Sequence, residues 1–274
     1  MKDQIKALVD SRNRSIESTL VVREYLQARI LEALQRSSAF QSWAFLGGTA
    51  LRFLYGMPRF SEDLDFSVEE SIEPGPAVRD EFTRIVENVR RVFEAETYTV
   101  GIRIRPDQIV QSAFIDFPGL LFELGIPAQK TQKISIKIEV DTNPPPGAAT
   151  EVSVVRKHVF LNILHYDKAS LFAGKLHALL SRSYVKGRDL YDLLWYLSDR
   201  SWPEPNLKLL QSALRQTGTE IDIESAKNWR TLVSKRLKGL DWDRVVADVA
   251  PFLERSREIE LLTREYLLSL LREA

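Results

Sequence analysis

The residues best suited to chemistry are two aspartates, Asp63 and Asp65, separated by one apolar residue in the stretch Ser61-Glu62-Asp63-Leu64-Asp65-Phe66-Ser67-Val68. Polar and apolar residues alternate from Ser61 to Val68, the pattern of a half-buried strand. On a strand, residues two apart project from one face. Two carboxylates held side by side repel unless a cation or a proton lies between them. Leu64 and Phe66 flank the pair, so the site is not simply a solvated acidic patch. A further carboxylate comes from Glu139 or Asp141, on a strand expected over 133–141 whose other face is Ile134, Ile136, Ile138 and Val140. Sequence leaves open which of the two joins the pair. Three carboxylates from two adjacent strands suit Mg2+, or Mn2+ in its place, with phosphate and water oxygens completing each shell.

Upstream, the apolar run Trp43–Leu46 stops at Gly47-Gly48, and a helix-like stretch follows from Thr49, a plausible N-cap, to Gly56, a plausible terminator. Backbone amides at such a strand-to-helix junction approach phosphate oxygens closely, and a helix N-terminus favours negative charge. An Asp-x-Asp pair or a Gly-Gly turn is common by itself. A Gly-Gly turn, a short helix and an Asp-x-Asp strand about 15 residues on form a much more specific combination.

The elements that must hold these residues follow from periodicity. Ile16, Leu20, Val21, Ile30, Leu31 and Leu34 give a leading helix over 16–36, and Val78, Phe82, Ile85, Val86, Val89 and Phe93 give another over 77–93. Strands are expected around 97–105 and 111–116, and the run Asn143-Pro144-Pro145-Pro146-Gly147 ends the strand before it. After about residue 165 the pattern is helical, over 168–183, 188–199, 205–216, 223–236, 242–255 and 256–272. The fold class is therefore α+β, with an α+β domain over 1–164 and a helical domain over 165–274.

In the helical part Lys168, Lys175 and Arg182 recur every seven residues and so share one stripe. Snorkelling cations that solubilise a helix have the same look. Gly187 is expected to end that helix. Asp189 and Asp192, three apart on the next, share a face opposite Leu190, Leu193, Leu194 and Leu197. His158, His165 and His177 show no metal-ligand spacing, and the Trp residues look like core.

Composition narrows the classes. The 274 residues hold no Cys, which removes disulfides and thiolate metal sites and fits a reducing cytoplasm. The N-terminal segment lacks an apolar signal core, and no apolar stretch approaches the ~20 residues needed to span a bilayer, so a cytoplasmic protein without a membrane partner is expected. Lys and Arg number 38 against 38 Asp and Glu. A protein that grips long duplex usually shows a basic excess, so DNA is not expected as partner; a local basic pocket for a triphosphate or an RNA end remains compatible.

The blocks Leu46-Gly47-Gly48-Thr49-Ala50-Leu51-Arg52, Tyr55-Gly56 and Arg59-Phe60-Ser61-Glu62-Asp63-Leu64-Asp65-Phe66 closely resemble the AbiEii/AbiGii toxin family of nucleotidyltransferases, which has the DNA polymerase β-like fold and includes the mycobacterial MenT toxins. The resemblance continues through Lys175-Leu176-His177-Ala178-Leu179 and Lys186-Gly187-Arg188-Asp189-Leu190-Tyr191-Asp192-Leu193; the last 75 residues carry nothing matched. It implies an NTP-dependent enzyme with Asp63 and Asp65 on the metals and Glu139 or Asp141 completing the shell. Gly47, Gly48, Thr49 and Ser61 would lie at the nucleotide, Lys175 and Arg182 at the triphosphate, and Asp189 in the active site. It also implies an RNA acceptor, plausibly a tRNA 3′ end, and a toxin held in check by a separately encoded antitoxin. Two other readings share these residues: the same fold acting on a small-molecule or protein hydroxyl, and a binding module without catalysis.

Overall fold

The computed structural model describes residues 2–10, 15–69, 73, 75–219 and 228–273. They divide into two compact units, one of residues 1–55, 60–144 and 152–165, the other of 56–59, 145–151 and 166–274.

The first unit is built on a mixed sheet of β1 (Trp43–Leu46), β2 (Leu64–Val68), β3 (Gly101–Arg105), β4 (Val110–Pro118), β5 (Lys133–Asp141), β6 (Thr150–Lys157) and β7 (Val159–Tyr166), in the order β3-β4-β5-β2-β1-β7-β6. β2 runs parallel to β5 and antiparallel to β1. Helices α1 (Lys2–Asp10), α2 (Ser15–Arg36), α3 (Gly47–Tyr55), α4 (Pro76–Ala95) and the single turn α5 (Leu120–Glu123) complete it. The core follows the alternation: Ile134, Ile136, Ile138 and Val140 are at most 1% exposed, while the intervening residues of β5 are half-buried or exposed. Full burial contributes roughly 1.5–3 kcal/mol for each such side chain. α4 adds Phe82, Ile85, Val86, Val89 and Phe93, spaced to bury one stripe.

The strand expected over 61–68 begins later, at Leu64, where the ladder to Ile138 starts. Ser61, Glu62 and Asp63 lie outside it because their carbonyls have other donors: Gln27 Nε2 reaches Ser61 and Glu62 at 3.1 and 3.0 Å, and the Thr49 hydroxyl donates to Asp63. The hairpin of β6 and β7 was not legible. Its corner is Lys157-His158, with His158 at φ 60° and no Gly or Asn to signal a turn, and its alternating Val152, Val154 and Phe160 are exposed.

The second unit is helical: α6 (Lys168–Ser181), α7 (Gly187–Ser198), α8 (Leu207–Gln216), α9 (Trp229–Lys238), α10 (Trp242–Val249) and α11 (Arg264–Glu273). Asp167 and Asn206 cap α6 and α8, accepting from the amides of Ser170 (2.7 Å) and Leu209 (3.1 Å). Phe172 stacks on Tyr196 at 4.5 Å, with Trp229 edge-on at 5.3 Å. Of the helix expected over 223–236, residues 223–227 lie outside the described residues. The segments expected over 242–255 and 256–272 are shorter helices joined by 3-10 turns, the first holding Pro251, which has no amide to continue the helix. Gly187 does not end α6, which stops at Ser181; it opens α7, where a Cβ would overlap the Val245 carbonyl. No described helix is long and apolar enough to cross a membrane.

Candidate active site

β1 and β2 place the turn and the carboxylates together. Leu46 pairs with Asp65, so the next residue, Gly47, lies against the Asp65 side chain. Gly47 adopts φ 81°, and a Cβ there would overlap Asp65 Oδ2 and stand 3.1 Å from its Cγ. Two independent constraints thus require glycine, the left-handed backbone and the carboxylate. α3 starts at this turn, and the amides of Gly48 and its neighbours belong to the first turn, where intrahelical acceptors are lacking. Thr49 is not an N-cap: it lies inside α3, and its hydroxyl holds the Asp63 carbonyl. Its observed part is to support the backbone of a carboxylate.

The parallel register of β2 and β5 separates the two candidates for the third carboxylate. Asp65 is opposite Glu139, and Ser67 is opposite Asp141. Neighbouring strands lie roughly 4.8 Å apart, so Glu139 is the carboxylate beside Asp65, one pleat nearer than Asp141. Electrostatics agree. Burial pushes the Asp63 carboxyl up, the charges of Glu62 and Glu139 push it further, and Lys137 and Arg23 offset only part. The Asp141 carboxyl is raised by burial alone, opposed by the Asn143 amide at 2.9 Å, with no carboxylate acting on it. Glu139 is also paired with Lys137 at 2.6 Å.

This arrangement fits a divalent cation. Its donors are hard carboxylate oxygens, and Asp63 is held where negative charges crowd it, a state that a cation relieves. Among the described residues no three acidic, His or Cys side chains are grouped closely enough to hold a metal ion by themselves. An open carboxylate site is the form that suits Mg2+, which keeps waters and takes phosphate oxygens from a substrate.

Lys175, Arg182, Asp189 and Asp192 come together in the second unit, with a partner that sequence did not reveal. Arg59 Nε and Nη2 donate to Asp192 Oδ1 and Oδ2, both at 2.6 Å, a bidentate pair with side chains 2% and 0% exposed. Lys175 Nζ lies 2.7 Å from Asp192 and 3.2 Å from Asp189, and Arg182 lies 2.7 Å from Asp189. Burial would push the Asp192 carboxyl up, but Arg59 and Lys175 outweigh it and hold it below the usual range. Burial would pull Lys175 down, and Asp192 with Asp189 outweighs that too, so its ammonium is held above its ordinary value. The seven-residue stripe is therefore not one cationic face: Lys175 turns into an ion-pair hub, Lys168 sits over Trp202 at 4.8 Å, and Arg182 follows the helix in extended backbone.

Arg23, Gln27, Lys137 and Arg59 support these clusters and carried no legible role. Arg59 stood in the motif, but its partner lies 133 residues away. Gln27 and Arg23 are ordinary-looking members of a long helix whose apolar periodicity conceals them.

Paired carboxylates below a Gly-Gly helix start, on a mixed sheet, mark the class of nucleotidyltransferases. The model of the nucleotidyl transferase AbiEii toxin family, of type IV toxin–antitoxin systems, matches residues 29–263, and the chain belongs to this family. It is a nucleotidyltransferase toxin whose substrate is an NTP and whose partner is an antitoxin. The nucleotidyltransferase toxin MenT4 of Mycobacterium tuberculosis is similar in structure, at 15% identity over 100% of this chain and 98% of that one, with a TM-score of 0.53. JHP933 of Helicobacter pylori aligns over 93% and 94% of the two chains at 19% identity with a TM-score of 0.48. No curated protein matches the sequence.

Proposed function

We propose that this toxin transfers a nucleoside monophosphate from an NTP to a hydroxyl of RNA, at a tRNA 3′ end, in a Mg2+-dependent reaction that blocks translation. The observation that carries the metal site is the pairing of Asp65 with Glu139 beside a turn where only glycine leaves room for the carboxylate. Asp63, Asp65 and Glu139 would hold the divalent ions, which neutralise the triphosphate and polarise its α-phosphorus. Asp141, opposite Ser67, is left out of that set. Amides at the start of α3 would donate to phosphate oxygens. The acceptor oxygen bonds to the α-phosphorus, the bond to the β-phosphate bridging oxygen breaks, pyrophosphate leaves, and Glu139 receives the acceptor proton.

The family resemblance assigns Lys175, Arg182 and Asp189 to function, and the proposal keeps them there. Their cluster supports this with three cations, Arg59, Lys175 and Arg182, against two carboxylates. A competing structural role comes from the burial of Lys175 between Asp189 and Asp192. Balanced net charge favours a second acceptor class, a small-molecule or protein hydroxyl. Incubation with each radiolabelled NTP, Mg2+ and total RNA decides: label in RNA supports the reading, and label in protein or small molecules overturns the acceptor. Mg2+-dependent transfer no greater than that of Asp65→Ala sinks the enzymatic mechanism.

A further inference from the structure

A cavity of about 630 Å3 opens within the second unit, between the segment joining α6 to α7 and helices α9 and α10. Leu180, Leu232 and Val245 form part of its apolar lining, and Tyr184, Lys235 and Arg244 also border it. Tyr184 is 65% exposed, an unusual state for a large aromatic side chain. Its loop is anchored: Arg236 Nη2 donates to the carbonyls of Arg182 and Ser183, the latter at 3.3 Å. The cavity lining carries a cationic excess, Lys235, Arg236 and Arg244 against the single acidic residue Asp241. Residues 182–188 and 228–240 contain no Asp or Glu, in a chain that is balanced overall. Lys235 has no acidic partner among the described residues, and Arg244 meets Asp241 at 3.1 Å in a well-exposed pair that adds little attraction.

An exposed aromatic side chain, an apolar lining and an excess of cations suit a flat apolar ring joined to phosphate. We infer that this cavity takes an unpaired nucleotide of the RNA, its base stacked on Tyr184 and its phosphates met by Lys235 and Arg244. The size lies within the ~300–1,000 Å3 of small-ligand sites. Stacking on an aromatic face is how proteins take single-stranded bases without reading sequence, and cations beside it supply the salt-dependent part of affinity. An acidic peptide would use the cations and leave Tyr184 idle. This inference rests on the RNA reading above and is separable from it, because binding needs no transfer.

The test measures binding of a short labelled single-stranded RNA to the full chain over a series of salt concentrations. Tyr184→Ala is expected to weaken binding about tenfold, Tyr184→Phe to restore it, and neither to change binding of a duplex of the same sequence. Lys235→Gln is expected to lower the salt slope by about one, while Lys6→Gln, an exposed lysine on α1, leaves it as in the wild type. Three results overturn the inference: both cavity variants binding like wild type, Tyr184→Ala weakening duplex and single strand equally, or polyglutamate displacing the RNA as well as unlabelled RNA does. RNA labelled in the transfer assay with unaltered binding by the cavity variants sinks this inference alone. Cavity-dependent binding without RNA labelling upholds it and sinks the acceptor reading.

Discussion

Asp65 and Glu139 occupy directly paired positions of two parallel strands, and Gly47, bare of a side chain, closes the third side of the Asp65 carboxylate. A third carboxylate, Asp63, lies one residue before the ladder, and the charge of Glu139 acts on it. Asp141, opposite Ser67, stands outside this coupling. Glu139→Gln is therefore expected to reduce transfer at least 100-fold, with Asp141→Asn within about fivefold of wild type. Steady-state rates with labelled NTP check it, and equal losses from both variants would contradict the assignment.

The same crowding makes a prediction about stability. Burial and the charges of Glu62 and Glu139 oppose ionisation of Asp63, so the metal-free fold is strained there. Asp63→Asn is expected to raise the melting temperature without divalent ions and to abolish the upward shift that Mg2+ gives the wild type. Calorimetry with and without Mg2+ reads both effects.

Gly47→Ala combines backbone strain at φ 81° with a clash against Asp65. A loss of about 1–3 kcal/mol in urea denaturation is expected, together with a fall in kcat larger than any change in KM. Gly56→Ala offers a contrast, with φ 72° and nothing within 4 Å of the added Cβ, so it carries the strain without touching the carboxylates.

Removing Arg59 takes away the bidentate pair and leaves the fully buried Asp192 carboxylate to Lys175 alone. Arg59→Met is expected to cost about 3–5 kcal/mol. Lys175→Gln leaves Asp192 paired with Arg59 and should be milder in the same denaturation assay. A loss of transfer from Lys175→Gln at unchanged melting temperature would show that Lys175 does more than hold α6 to α7.

Glu24, only 6% exposed, contacts Arg52, Lys157 at 3.1 Å and His158 at 3.3 Å. Burial pushes its carboxyl up, but His158, Arg52 and Lys157 outweigh that and bring it to about 2. A depressed folded-state value means that the stabilisation is complete above the unfolded value of about 4.3 and is lost as pH falls from there toward 2. The effect is on the order of 3 kcal/mol. Urea midpoints measured from pH 6 down to pH 3 should fall more steeply for wild type than for Glu24→Gln.

Much of this architecture is written locally. The alternation over 133–141 gave β5 its limits, and the apolar stripe over 77–93 gave α4, because each buries one face against a core. Asp63, Asp65 and the Gly-Gly turn were legible for the same reason: their chemistry lies in near neighbours. What stayed hidden depends on residues distant in sequence. Whether Glu139 or Asp141 faces Asp65 is a matter of strand register, which no property of either residue reveals. Asp192 read as the polar side of a helix, yet it is fully buried because Arg59 and Lys175 reach it. The β6–β7 hairpin lacks a turn residue at its corner, and exposed Val152, Val154 and Phe160 blur the alternation that buries Leu161 and Ile163.

The passage of residues 56–59 into the second unit has a consequence for how the chain is made. Arg59 leaves the ribosome long before Asp192, and until the later helix exists its charge has no buried counterpart. Gly147 is similarly early, its carbonyl accepting from Asn206 Nδ2 at 2.8 Å. Closing loops of this length is entropically slow and falls late in folding. The helical part is thus no detachable tail: a fragment starting at residue 166 would lack the guanidinium its most buried carboxylate requires. An unfinished chain would hold Asp63, Asp65 and Glu139 before its second half could form, so synthesis must run well past residue 192 before this toxin is whole.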